Sequence, residues 1–213
     1  MKFTLTYDGE LPSTGNRSKK PREKWEIRKH FDPQLRELWR VSPALRLANV
    51  YSVLPATGGF GAYDTHHSNP QIFPKRTPLS GEIDMCAEIE RQGRKFLPLV
   101  RETYALACGL KILFLRKEGP GRVYQGGDLD NRIKTLLDAL SIPLEQQVIA
   151  DDMTIEDPIH CLLEDDSRIV SLDVQSERLL AGHTKSENEV RLIIEVDVRV
   201  TQMHIYNAQF LGG

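Results

Sequence analysis

Gly127-Asp128-Leu129-Asp130-Asn131-Arg132-Ile133-Lys134-Thr135-Leu136-Leu137-Asp138-Ala139-Leu140 reads as the entry to an amphipathic helix. Leu129, Ile133, Leu136, Leu137 and Leu140 recur at helical spacing and predict a buried stripe. Asp130, Lys134 and Asp138 follow at intervals of four and so share a second face. Asp128 stands at the N-cap position, three residues before Asn131. Carboxylates there lie in the positive end of the helix dipole, which keeps them ionised. Ionised oxygen ligands on a rigid element suit a hard divalent cation such as magnesium. The same pattern also begins many ordinary surface helices, where an Asp cap and an Asp-Lys-Asp ladder do nothing but face water.

Working outward, the stretch is framed by strand-like runs. Leu110 to Leu115 precede it. Glu164-Asp165-Asp166 lead into Arg168 to Val174 after it, and Val190 to Val196 form the last strand-like run. Phe3 to Tyr7 form a first strand pattern, followed by Leu11-Pro12-Ser13-Thr14-Gly15-Asn16. Strand, helix, strands, helix, strand, strand predicts an α/β chain of the α+β type, with a mixed, largely antiparallel sheet packed with helices. Asp32-Pro33 reads as an N-cap and first helical residue, with Leu35, Leu38 and Trp39 on the inner face and a continuation past Pro43. Glu82 to Val100 reads as two strands turning at Arg91-Gln92-Gly93-Arg94-Lys95. The last two strands read as a hairpin joined across Gly182 to Asn188.

The series Asp128-Leu129-Asp130-Asn131, Lys134, Asp138-Ala139-Leu140 and later Asp165-Asp166-Ser167-Arg168-Ile169 resembles the RusA family of Holliday junction resolvases. The strand patterns before and after the motif, and the Pro-Ser turn after the first strand, resemble that family in order. The matching portions cover roughly half the chain. The resemblance implies one RusA-like nuclease domain over 1–213, with insertions at about 41–96 and 141–163.

It implies a Mg²⁺-dependent endodeoxyribonuclease, with Mn²⁺ as a possible substitute. Such an enzyme acts as a homodimer and cuts two opposed strands of a four-way DNA junction in recombination and repair. It assigns metal-binding carboxylates to Asp128, Asp130 and Asp166 and a catalytic lysine to Lys134. It carries Asp165 as a supporting neighbour; from the spacing, Asn131 and Asp138 are expected to support the site, Asp138 by orienting Lys134 through an i, i+4 pair, an exposed salt bridge being the plainer role. The segment after the motif helix carries its own acidic pair, Asp151-Asp152, so Asp152 stands as the alternative to Asp166. A nuclease for flaps or forks, and a DNA-binding relative without catalysis, use the same residues differently.

Charge composition narrows the partners only a little. There are 28 Lys and Arg against 30 Asp and Glu, a formal net charge of −2, so any nucleic-acid surface must come from local clustering. Arg17, Lys19, Lys20, Arg22, Lys24, Arg28 and Lys29 cluster around Trp25, a composition that neutralises phosphates and stacks on a base. A solvated loop is the competing reading. No apolar run is long enough for a membrane span, and the N-terminus lacks a signal-peptide core, so the expected location is cytoplasmic. Cys86, Cys108 and Cys161 have neither zinc nor disulfide spacing. Gly58-Gly59-Phe60-Gly61 lacks the Lys of a phosphate loop, so no nucleotide cofactor is expected. Ala56 to Lys75 reads as a long surface loop, and His66-His67 within it as solvent-exposed.

Overall fold

The computed structural model describes residues 1–12, 20–50, 53–55, 82–84, 86–117, 128–180, 188–203 and 205–211, with backbone alone at 20, 47–50, 53–55, 82–84, 128, 205 and 206. In chain order the elements are β1 (Lys2–Glu10), α1 (Lys20–Val41), α2 (Pro43–Val50), β2 (Val53–Pro55), β3 (Glu82–Asp84), β4 (Ile89–Arg91), β5 (Arg94–Val100), β6 (Leu106–Arg116), α3 (Asp128–Leu140), β7 (Ile159–Leu163), β8 (Ile169–Arg178) and β9 (Glu189–Val200). A four-stranded sheet runs β1-β9-β6-β8, a three-stranded sheet runs β4-β5-β7, and β2 pairs with β3. The fold is α+β, as the element order predicts.

Alternation along the strands decides which face of the large sheet is covered. Leu5, Ile194, Ile112 and Val174 form one row across its four strands, and Tyr7, Leu192 and Phe114 lie in the next. These rows pack against Ile27, Phe31 and Leu35 of α1 and Ile133, Leu136, Ala139 and Leu140 of α3. The opposite face carries Thr4, Glu195, Lys111 and Asp173 in one row and is open. A smaller core of Trp25, Phe96, Ile155, Ile159 and Cys161 joins α1 to the second sheet.

Two expectations are corrected. The helix does not begin at Asp32: α1 starts at Lys20 and carries Pro33 inside it. A proline in a helix interior costs about 3 kcal/mol. Burying Trp25, Ile27 and Phe31 before it and Leu35 and Trp39 after it contributes about 1.5–3 kcal/mol for each side chain, so burial decides. Asp32 is then a buried acceptor, taking the His160 amide at 2.8 Å and Arg36 at 3.3 Å.

The last two strands are not a hairpin. β8 pairs parallel with β6 while β9 pairs antiparallel with the other side of β6. The chain therefore steps across the end of β6, where Leu179 donates its amide to Arg116 O at 2.7 Å. The segment 141–163 ends in β7, five buried residues paired parallel with β5.

The hairpin predicted around Arg91 to Lys95 is present. Arg91 pairs with Arg94, and Gln92 and Gly93 have φ of 50° and 74°, the left-handed pair that a two-residue turn between twisted strands requires. The loop at 56–75, His66 and His67 lie outside the described residues.

Candidate functional site

α3 presents its sequence pattern as predicted. Ile133, Leu136, Ala139 and Leu140 are buried, while Asp130, Asn131 and Lys134 are exposed. Arg132 is 6 % exposed and reaches Asn188 Oδ1 at 3.3 Å, which ties the first turn of α3 to the start of β9. At the other end Arg28, 2 % exposed, donates to the carbonyls of Asp138 and Ser141 at 3.0 Å each. A cation at a helix C-terminus satisfies orphan carbonyls and complements the dipole. Both ends of α3 are thus fixed.

Among the described residues, the side chains of Asp130 and Lys134 have no hydrogen bond or ion pair. The Asp130 to Lys134 spacing puts them one turn apart on the solvent side. Asp128 begins the helix, and its side chain is outside the described residues. Asp138 does not pair with Lys134. It binds Lys24 Nζ of α1, because the helix packing brings α1 alongside the C-terminal half of α3.

Asp166 is not brought to Asp130. It opens a 3-10 turn, Asp166–Arg168, at the end of the sheet where β6 begins, with Cys108 beside Ile169. α3 starts near the other end of β6, where Arg116 faces Val190 and Asn188 meets Arg132. Asp130 lies about 16 Å of helical rise from Ser141, the residue that bridges to Leu163. The cause is β7, which returns the chain to the C-terminal end of α3. Asp165 is a local cap: its Oδ1 accepts the Ser167 amide at 2.9 Å, and the Ser167 side chain and amide hold its carboxyl below the usual carboxylate range.

Asp152, the alternative, is spent on the fold. Its Oδ2 accepts Trp25 Nε1 at 2.9 Å and Lys29 Nζ at 3.0 Å. Its Oδ1 accepts the Thr154 amide at 2.9 Å and hydroxyl at 2.5 Å. Thr154 first, then Lys29 and Trp25, hold its carboxyl far below the ordinary range. Among the described residues no three His, Cys, Asp or Glu side chains gather as a metal cage. Sequence spacing shows acids, not their partners, so neither the occupation of Asp152 nor the remoteness of Asp166 could be read from it.

Of the basic segment's described side chains, Lys24, Arg28 and Lys29 are consumed by the fold and Arg22 is not. Trp25 is fully buried and stacks edge-on with Phe96 at 6.3 Å, so it is not a platform for bases. Lys24 is committed to Asp138, Arg28 to the end of α3, and Lys29 to Glu26 at 2.8 Å and Asp152. Arg22 is exposed. Arg17, Lys19 and the Lys20 side chain lie outside the described residues. Burial decides here too, since α1 needs one face against α3 and β7, and that face includes its long basic side chains.

No helix among the described residues is long and apolar enough to cross a membrane. No family model, curated protein or solved structure matches the chain.

Proposed function

We propose that the chain is a Mg²⁺-dependent endodeoxyribonuclease that resolves four-way DNA junctions as a homodimer, as its resemblance to the RusA resolvases implies. One observation carries this reading. Asp130 and Lys134 stand exposed, one turn apart on α3 and unpartnered among the described residues; Asp151, Asp166 and Asp173 are likewise exposed and unpaired but without a lysine one helical turn away, and Asp32, Asp138, Asp152 and Asp157 are each held by a lysine or arginine. A carboxylate left without a cation, beside a free lysine on a helix fixed at both ends, fits a hard metal and a phosphate.

Asp128 and Asp130 would hold the ion. Mg²⁺ commonly takes one or two carboxylates and completes its shell with water and substrate phosphate oxygens, so a third protein carboxylate is not required. The bound ion supplies an acidified water and charge neutralisation at the phosphate. Lys134 donates to the phosphate oxygens or the leaving oxygen as charge builds there. Asp138 keeps Lys24 and α1 in place behind this face and does not orient Lys134.

The test is cleavage of a synthetic four-way junction with Mg²⁺, with linear duplex, flap and fork as competitors. Wild type is expected to give paired, symmetric nicks. Asp130→Asn is expected to lose at least about 10²-fold in rate, the scale of one charge-stabilising group, with an unchanged circular dichroism spectrum. Preferential cutting of flaps or forks would move the substrate and keep the chemistry. A second reading, a DNA-binding relative without catalysis, is favoured by the distance of Asp166 from Asp130. It predicts junction binding with no cutting under any divalent ion.

A further inference from the structure

The two edges of the large sheet are treated differently. On β1, Gln34 of α1 closes the edge: its Oε1 accepts the Thr6 amide at 2.9 Å and its Nε2 donates to Thr6 O at 2.8 Å. A side-chain amide there satisfies what a neighbouring strand would. β8 is the other edge. It is ten residues long, without proline or lysine, and no side chain among the described residues caps its backbone. Leu172 is 44 % exposed on its helix-facing side, where it continues the row of Phe3, Val196 and Leu110. Between the bulge at Val170 and Arg178 its only charges are Asp173 and Glu177, and a long edge so lightly protected is a template for another strand.

We infer that β8 is the dimer interface, pairing antiparallel with β8 of a second copy about a twofold axis at Val174. The strand is complementary to itself in this register. Val174 faces its own copy, Asp173 faces Gln175, Leu172 faces Ser176 and Ser171 faces Glu177. Each acid meets a hydrogen-bond donor. Centring the axis on Asp173 sets Asp173 against Asp173, and centring it on Gln175 sets Asp173 against Glu177. Like charges directly opposed are destabilising. Axes between residues set inner-face against outer-face side chains. Centres nearer the ends shorten the ladder. On one side it is closed by the bulge at Val170, where the register with β6 shifts between Cys108 and Gly109, and on the other by the end of β8.

The ladder from Ser171 to Glu177 would be about 23 Å long. The result is an eight-stranded sheet with both helix layers on the same side and the two α3 starts at opposite ends, an isologous arrangement. The inference deepens the dimeric reading above and rests on it for its purpose.

The test is sedimentation and cross-linking of the full chain. Wild type is expected to sediment as a dimer. Val174→Cys in a Cys86→Ser background is expected to form a disulfide dimer on mild oxidation, since residues facing across antiparallel strands lie within disulfide reach. Gln175→Glu, at an exposed position, opposes Asp173 twice by symmetry. It is expected to raise the dimer dissociation constant about tenfold, and adding Asp173→Asn is expected to reverse the effect. A monomeric wild type, a dimer indifferent to Gln175→Glu, or a dimer whose Val174→Cys form does not cross-link would each overturn the interface. A junction nuclease with any of these results keeps the function and loses the surface. A dimer cross-linked through position 174 that cuts nothing keeps the surface and loses the nuclease.

Discussion

Asp130 and Asp152 are the same side chain in similar acidic surroundings of the sequence, and packing separates them. The Asp152 side chain is 15 % exposed and ion-paired with Lys29, and its oxygens accept from Trp25 and Thr154 as well. Its folded pKa lies below the ordinary aspartate value of about 3.9. The stabilisation it gives is therefore complete above that unfolded value and disappears as pH falls through the lower folded one. Asp152→Asn is expected to lose about 1 kcal/mol at pH 7, the scale of a hydrogen-bonded charge with partial solvent screening. Urea titrations of the two proteins should converge only well below pH 4. A gap that is constant between pH 7 and pH 3 would show that the charge contributes nothing. At this scale the start of α3 and the exposure of Asp130 and Lys134 were legible, because they depend on residues within one turn. The partner of each acid was not, because Lys24 and Lys29 are more than a hundred positions away in the chain.

α1 shows how an element can override its own local signals. Asp32-Pro33 is a helix start by every local rule, yet the helix runs through it because apolar side chains on both sides of Pro33 reach the core. Pro33 is exposed and supplies no amide to the carbonyl of Lys29. Pro33→Ala is expected to restore that bond and raise stability by about 2 kcal/mol, after allowing for the stiffer unfolded chain that proline provides. Chemical denaturation reads this directly, and a loss of stability would mean that the ring makes contacts worth more than the bond. The hairpin β4–β5 went the other way: its turn residues sit next to one another, so Gln92-Gly93 announced it. β7 gave no comparable sign. Ile159-His160-Cys161-Leu162-Leu163 is a short apolar run without alternation, and such runs do not declare strand or helix. Only its pairing with β5 makes it a strand.

The path of the whole chain was partly written in its elements. The order of strands and helices gave the class of fold, and the strands β1, β6, β8 and β9 lie where the apolar runs put them. Their neighbours did not follow, since chain order favours pairing β8 with β9 and the fold inserts β6 between them. That exchange, together with β7, separates Asp166 from the start of α3, so the metal site proposed above falls to Asp128 and Asp130 alone. An ion held by these two carboxylates binds the folded chain and not the unfolded one, so it must stabilise the whole molecule by mass action. At a magnesium concentration about ten times the dissociation constant the gain is about 1.4 kcal/mol, which for a chain of this size raises Tm by about 3–5 °C. Asp130→Asn should remove most of that rise, and in the absence of the ion should lower Tm only by what the helix dipole contributes, about 0.3–1 kcal/mol, because among the described residues Asp130 has no hydrogen bond or ion pair to lose. Calorimetric scans with EDTA, Mg²⁺ and Mn²⁺ on both proteins separate the outcomes. Equal shifts in wild type and variant would place the ion elsewhere, and no shift in either would leave Asp130 as a surface acid facing only water.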